Sequence, residues 1–209
     1  MNIRPLTFEF TGPPCSGKTT LITGLADKLS DMGFKVKVIH DVAEQLSIFI
    51  SERPWETHTW ITCGRMKSLL EIPYLNRDIV LLDRGFSDAL FWSKFLYVQN
   101  LCTKKQCDTL YRYLQEMNYQ FNLSPDCLFL IDVSAEDSLA RNPNLLGYNI
   151  LKNEKVISLY RKNLIKFYKR FKSNRCYIDT TNISISEVEN VALSYICHMD
   201  HISKYADSI

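Results

Sequence analysis

Glycine and proline are scarce in this sequence, seven of each in 209 residues, and no stretch is repeated or low in complexity. Collagen-like, linker-rich and largely disordered chains are thereby excluded. Charge of one sign is nearly absent too: 25 Lys and Arg against 23 Asp and Glu leave +2, so total charge argues for neither a nucleic-acid nor a membrane partner. No window approaches the ~18 uncharged apolar residues of a membrane span. The first residues, Met1-Asn2-Ile3-Arg4-Pro5, lead into a strand-like run without an apolar signal core, the pattern of a soluble, cytoplasmic protein. The seven cysteines are odd in number and form no C-x-x-C, which fits reduced thiols rather than a disulfide framework or a zinc knuckle.

What the sequence has is apolar residues, 46% hydrophobic and 12% aromatic. At ~100–200 residues per domain, residues 1–209 are expected to form one domain. A chain of that size buries roughly 70% of its unfolded surface without disulfides or metal. Short apolar runs at 6–11, 35–39, 79–82, 127–131 and 176–178 predict strands buried on both faces. Helical patterns separate them. Leu21, Ile22, Leu25 and Leu29 recur at three and four, with Gly33 as a stop, and Ser134-x-x-Asp137 and Ser184-x-x-Glu187 read as capping boxes. Alternating β and α predicts an α/β fold: a five-stranded parallel sheet with helices on both faces and ligands at the carboxyl ends of the strands.

The first strand runs into Gly12-Pro13-Pro14-Cys15-Ser16-Gly17-Lys18-Thr19-Thr20, a full G-x-x-x-x-G-K-T between a strand and an amphipathic helix. Its glycines let backbone N–H groups and the helix N-terminus face a polyphosphate. Lys18 is expected to reach the β- and γ-phosphates of ATP, and the Thr19 hydroxyl to ligate Mg²⁺. Cys15, at a helix N-terminus, is either an activated thiol or an incidental small residue. The third strand ends in Asp83-Arg84. A carboxylate there holds the Mg²⁺ site or accepts a hydroxyl proton, and the guanidinium neutralises a transferring phosphoryl group. Asp41 and Glu44, after the second strand, could bind sugar hydroxyls or assist deprotonation, or Asp41 could simply cap a helix. Arg65 lies on a helix whose Trp60, Ile61, Leu69 and Leu70 pack inward, so it reaches an anionic acceptor or is exposed. Phe86, Phe91 and Trp92 could stack on a flat base or fill the core.

Beyond the phosphate loop, the order Trp60, Arg65, Pro73, Asp83-Arg84, then an aromatic helix resembles thymidylate kinases. So do Pro125-Asp126 through Asp132 to Arg141, Tyr160-Arg161 and Ile178-Asp179-Thr180. Where that family carries Arg-Glu-Pro, a Tyr-Gln pair and an Arg-rich lid, this chain has His40-Asp41 to Glu44-Gln45, Trp92-Ser93 and a nearly uncharged 142–149. Asp41, Glu44 and the run from Asp83 to Asp88 look more like nicotinamide riboside kinases and related nucleoside kinases, whose acceptor is an alcohol. The resemblance implies a P-loop kinase with a lid near 142–155, with Arg141 against adenine and Thr180 and Thr181 bordering the base. It also implies possible pairing of two copies through helices beside the third strand.

The expected activity is transfer of the γ-phosphoryl of ATP to a small acceptor, a nucleoside or nucleoside monophosphate. The alternatives are a regulatory NTPase, or a kinase acting on a nucleic acid or a non-nucleotide alcohol. Between Lys152 and Arg175 stand nine basic residues and one acid, Glu154, a net +8 that is either a solvated helix face or a patch for phosphodiesters. His198 and His201 flank Asp200 without an apparent third metal ligand and read as a frayed tail.

Overall fold

The computed structural model describes residues 4–45, 52–141, 151, 153–172 and 174–199, without the Glu44 side chain. In chain order the elements are β1 (Leu6–Thr11), α1 (Lys18–Asp31), β2 (Val36–Ile39), a 3₁₀ turn (Val42–Gln45), α2 (Pro54–Glu71), a second 3₁₀ turn (Ile72–Tyr74) and β3 (Ile79–Asp83). Then come α3 (Phe86–Val98), α4 (Lys104–Phe121), β4 (Cys127–Asp132), α5 (Ala135–Arg141), α6 (Glu154–Arg170), β5 (Asn174–Asp179) and α7 (Ile185–Cys197). All five strands pair in parallel in the order β2-β3-β1-β4-β5, with Phe8 opposite Leu81 on one side and Cys127 on the other.

Side chains alternate across each strand, so one sheet serves two cores. Phe8, Phe10, Ile79, Leu81, Phe129 and Ile131 face α1 and α7, meeting Leu21, Leu25, Leu29, Val188, Ala192 and Ile196. The other face of β3 packs Val80 and Leu82 on Met66, Phe86 and Leu114. Leu128 and Leu130 of β4 pack there on Trp92, Phe95, Tyr160 and Leu164. On that second face β1 presents Thr7, Glu9 and Thr11, all buried. Most buried polar groups in folded proteins are hydrogen-bonded, and each of these is. Thr7 bonds Asp126 through its N–H and hydroxyl, both at 2.8 Å, and the Thr11 hydroxyl donates to Asp88 Oδ1 at 2.9 Å.

The helix caps only partly follow the sequence reading. Ser184 and Glu187 form the full capping box, and so do Thr103 and Gln106, a pair the sequence reading missed. At Ser134 half the box is present: the Asp137 N–H donates to Ser134 Oγ at 3.0 Å, but the Ser134 N–H is taken by Thr181 Oγ1 at 3.2 Å. Aspartate, one methylene shorter than glutamate, binds the Ser134 hydroxyl instead. Among the described residues no helix is long and apolar enough to cross a membrane.

Candidate active site

The sheet order sets β3 and β4 on either side of β1, so the ends of three strands surround the phosphate loop. Gly12 passes so close to β4 that a Cβ there would lie 2.0 Å from the Ile131 carbonyl oxygen. Gly17 has φ 87°, in the left-handed region that favours glycine. Ser138 of α5 donates to the Pro14 carbonyl at 2.8 Å, bracing the loop from behind. Lys18 folds over the loop, donating to Pro13 O at 2.8 Å and Ser16 Oγ at 3.2 Å. Burial, with Arg84 nearby, lowers its ammonium to about 8 against the pull of Asp83, Asp88 and Asp41. A partly desolvated cation at a helix N-terminus is suited to bind polyphosphate.

Thr19 donates its hydroxyl to Asp83 Oδ2 at 2.6 Å. Two hard oxygen donors converging at the head of α1 form a set that suits Mg²⁺, which takes few protein ligands and keeps its waters. The residues present therefore fit that ion. Arg84, at φ 64°, is a non-glycine residue in the left-handed region, held there by its N–H bond to the Phe10 carbonyl at 3.0 Å.

This turn sends the Arg84 guanidinium into a closed ring of four charges. Arg84 binds Asp41 Oδ2 at 3.1 Å and Asp88 Oδ1 at 3.0 Å. Arg65 binds the other oxygens of the same two acids, Asp41 Oδ1 at 2.8 Å and Asp88 Oδ2 at 2.9 Å. Burial raises the Asp41 carboxyl, but the two guanidiniums outweigh it and hold the acid below its ordinary range. Asp41 also accepts the Ala43 N–H at 3.1 Å, so it caps the following turn while sitting in the ring. Of the two alternatives read for Arg65, exposure does not hold: the side chain is buried and paired with Asp41 and Asp88.

Beneath the ring, Glu9 accepts the N–H groups of Gly85, Ser87 and Asp88 at 3.0, 3.0 and 2.8 Å. These are the orphan donors at the start of α3, which has no side-chain cap of its own. Tyr160 of α6 receives Arg84 Nη1 at 3.3 Å and donates toward Gly12 O at 3.5 Å, tying α6 to ring and loop. His58 is buried with Nε2 3.0 Å from Ser93 Oγ, and burial pushes it down to about 3, so it is neutral.

On the far side of the loop, Arg141 donates to Cys15 O at 3.3 Å and to Thr180 O at 2.7 Å. Thr180 Oγ1 reaches Ser16 O at 3.2 Å. Behind them the buried Asp132 receives Arg161 Nε at 2.8 and 2.9 Å and Tyr177 OH at 2.7 Å.

The structure thus gathers Lys18, Thr19, Asp41, Arg65, Asp83 and Arg84 at one cleft, with Arg141 and Thr180 along its edge. Phe86 and Trp92 correct the expectation of stacking on a base. Both are buried in the two cores of the second face, because α3 is apolar on nearly every side and runs between them. Glu44 lies in the 3₁₀ turn after β2, its side chain outside the described residues, and 142–150, Lys152, Asp200 and His201 lie outside them as well. His198 sits at the end of α7 with Nδ1 2.6 Å from the Ser194 carbonyl. The sequence reading gave no role to Asp88, Glu9 or Tyr160. Glu9 had a visible signal, an acid between two phenylalanines in a strand.

Comparison with known proteins agrees with this architecture. No curated protein matches the sequence. Deoxyadenosine kinase from M. mycoides, solved with dCMP and dCDP bound, superposes with a TM-score of 0.75 at 17% identity, over 93% of this chain and 100% of that one. Its dATP-bound structure gives 0.70 at 16%, over 91% and 98%. The AAA domain family matches residues 7–142, from β1 to just past α5. On a match that covers well over half of its length and includes the whole phosphate loop, this chain belongs to the AAA domain family.

Proposed function

We propose that the protein is a Mg²⁺-dependent P-loop kinase that moves the γ-phosphoryl group of ATP to the hydroxyl of an uncharged, nucleoside-type acceptor. The observation that carries this reading is the four-charge ring. Among the described residues the ring's two guanidiniums are matched by its two carboxylates and offer no surplus positive charge, which suits an alcohol better than a nucleoside monophosphate. The fold shared with a kinase solved with dATP and dCTP supports the class of reaction.

Lys18 and the N–H groups at the head of α1 bind and orient the polyphosphate. Thr19 and Asp83 would hold Mg²⁺, which neutralises phosphate charge when bound. Asp41, kept ionised by Arg65 and Arg84, accepts the proton of the acceptor hydroxyl. The acceptor oxygen forms the new bond to the γ-phosphorus as the bond to the bridging oxygen breaks, and ADP leaves with that electron pair. Arg84 orients Asp41 from a backbone position fixed by Phe10, so little reorganisation is left for the transfer itself. Arg141 and Thr180 would border the adenine.

The test is a transfer assay with Mg²⁺ and γ-labelled ATP against nucleosides, nucleoside monophosphates, other small alcohols and oligonucleotides. Label is expected in an uncharged nucleoside-type alcohol, and Lys18→Ala should lose most of the turnover with its circular dichroism intact. Label found only in monophosphates or oligonucleotides would overturn the acceptor class. ATP hydrolysis indifferent to every acceptor would point instead to a regulatory NTPase.

A further inference from the structure

The basic stretch of α6 is not absorbed by the site above. Arg161 is used by Asp132, and Arg175 donates to the carbonyls of Tyr168 and Phe171 at 3.1 Å each, closing the end of the helix. Among the described residues Lys155, Lys162, Lys166, Lys169, Arg170 and Lys172 remain, and three of them, Lys166, Arg170 and Lys172, border a cavity of about 690 Å³ between α3, α4 and α6. Ser124 and Lys172 set one end of that cavity beside the amino ends of β4 and β5, away from the phosphate loop, and its wall runs along α3 as far as Phe86.

Its walls are aromatic. Phe167 lies edge-on to Phe91 at 5.8 Å between ring centroids and 6.5 Å from Phe171, and Tyr111 carries Lys94 Nζ 4.0 Å above its ring. Four cations, Lys94, Lys166, Arg170 and Lys172, border the cavity, and among the described residues no Asp or Glu does. None of the four is ion-paired with another described residue. Ligand pockets of ~300–1,000 Å³ combine apolar walls with a few fixed polar groups. Cations converging without a counter-charge raise the local concentration of anions. A second copy packed symmetrically on this face would set these cations against their own equivalents, so like charge disfavours it.

We propose that this cavity is a second binding site, for a small anion with a flat aromatic body, such as an aromatic phosphate. The rings hold the body and Lys166 and Arg170 hold the anionic head. Phe91 connects it to the cleft described above: its ring is 5.1 Å from that of Tyr160, whose hydroxyl meets Arg84.

Fluorescence titration with anilinonaphthalene sulfonate tests this, at saturating Mg²⁺ and inorganic tripolyphosphate, which occupies the phosphate loop without bringing an aromatic body. One saturable site is expected, displaced by AMP, with affinity at least tenfold weaker in Lys166→Ala/Arg170→Ala at unchanged melting temperature and unchanged ATP binding. Affinity unaltered in that variant, displacement by dodecanoate but not by AMP, absence of binding below millimolar probe, or self-association that closes the cavity would each overturn the proposal. ATP binding is read separately, so failure here is distinguishable from failure of the kinase reading.

Discussion

Glu9 and His58 are buried ionisable groups that respond to pH in opposite senses. Burial raises Glu9 from 4.5 to about 7, despite its three backbone donors. Between those values the native protein holds a proton the unfolded chain has released, so this contribution is complete below 4.5 and is lost as pH rises to 7. Burial, with Arg65 adding to it, lowers His58 from 6.5 to about 3. There the unfolded chain gains a proton the native protein refuses, so stability is lost as pH falls from 6.5 toward 3. Thermal melts from pH 4 to 8 should show the gap between wild type and Glu9→Gln narrowing as pH rises from 5 to 7. The gap between wild type and His58→Gln should widen from pH 4 to 6.5. Parallel curves would contradict both assignments. That Lys18, Thr19 and Asp83 come together was readable from the sequence, because a phosphate loop and a strand-end acid are marked by spacing along the chain. Asp88 and Tyr160 were not, because their roles depend on which distant side chains they meet.

At the scale of elements, α3 shows how one helix start can be assigned to another strand. Its first N–H groups bond Glu9 across the sheet, while α4 and α7 carry caps within their own first turns. Local caps act on stability alone. Thr103→Ala should therefore cost about 1 kcal/mol in denaturant unfolding and leave phosphoryl transfer unchanged, whereas a matching loss of activity would mean that α4 bears on the cleft. All five strands were legible as short apolar runs; the bounds of β1 match the reading, and those of the other four differ from it by one or two residues. The half-formed box at Ser134 was not, since its failure depends on one methylene of Asp137 and on Thr181, far along the chain.

For the whole molecule, the strand order was beyond what the sequence carries, because periodicity marks strands without naming their neighbours. On the proposed function the cleft takes MgATP only when folded, which couples ligand to global stability. At a concentration 100 times Kd the gain is about 2.7 kcal/mol, which for a chain of this size corresponds to a rise of roughly 5–11 °C in Tm. Scanning calorimetry should show that rise in the wild type and little of it in Lys18→Ala. An equal rise in the variant would remove Lys18 from the binding reaction.

The pairing of β1 also bears on how the chain comes off the ribosome. Leu6 finds its partner at Ile79 and Phe8 finds its second at Cys127, while β2, the next strand made, pairs only with β3. β1 must therefore wait for β3 and β4 before both its edges are paired, although α1, made before either, already supplies Leu21 and Leu25 to Phe8 and Phe10. A nascent chain halted before residue 79 leaves both edges of β1 unpaired, so what needs shelter during translation is the backbone of that strand more than its aromatic side chains.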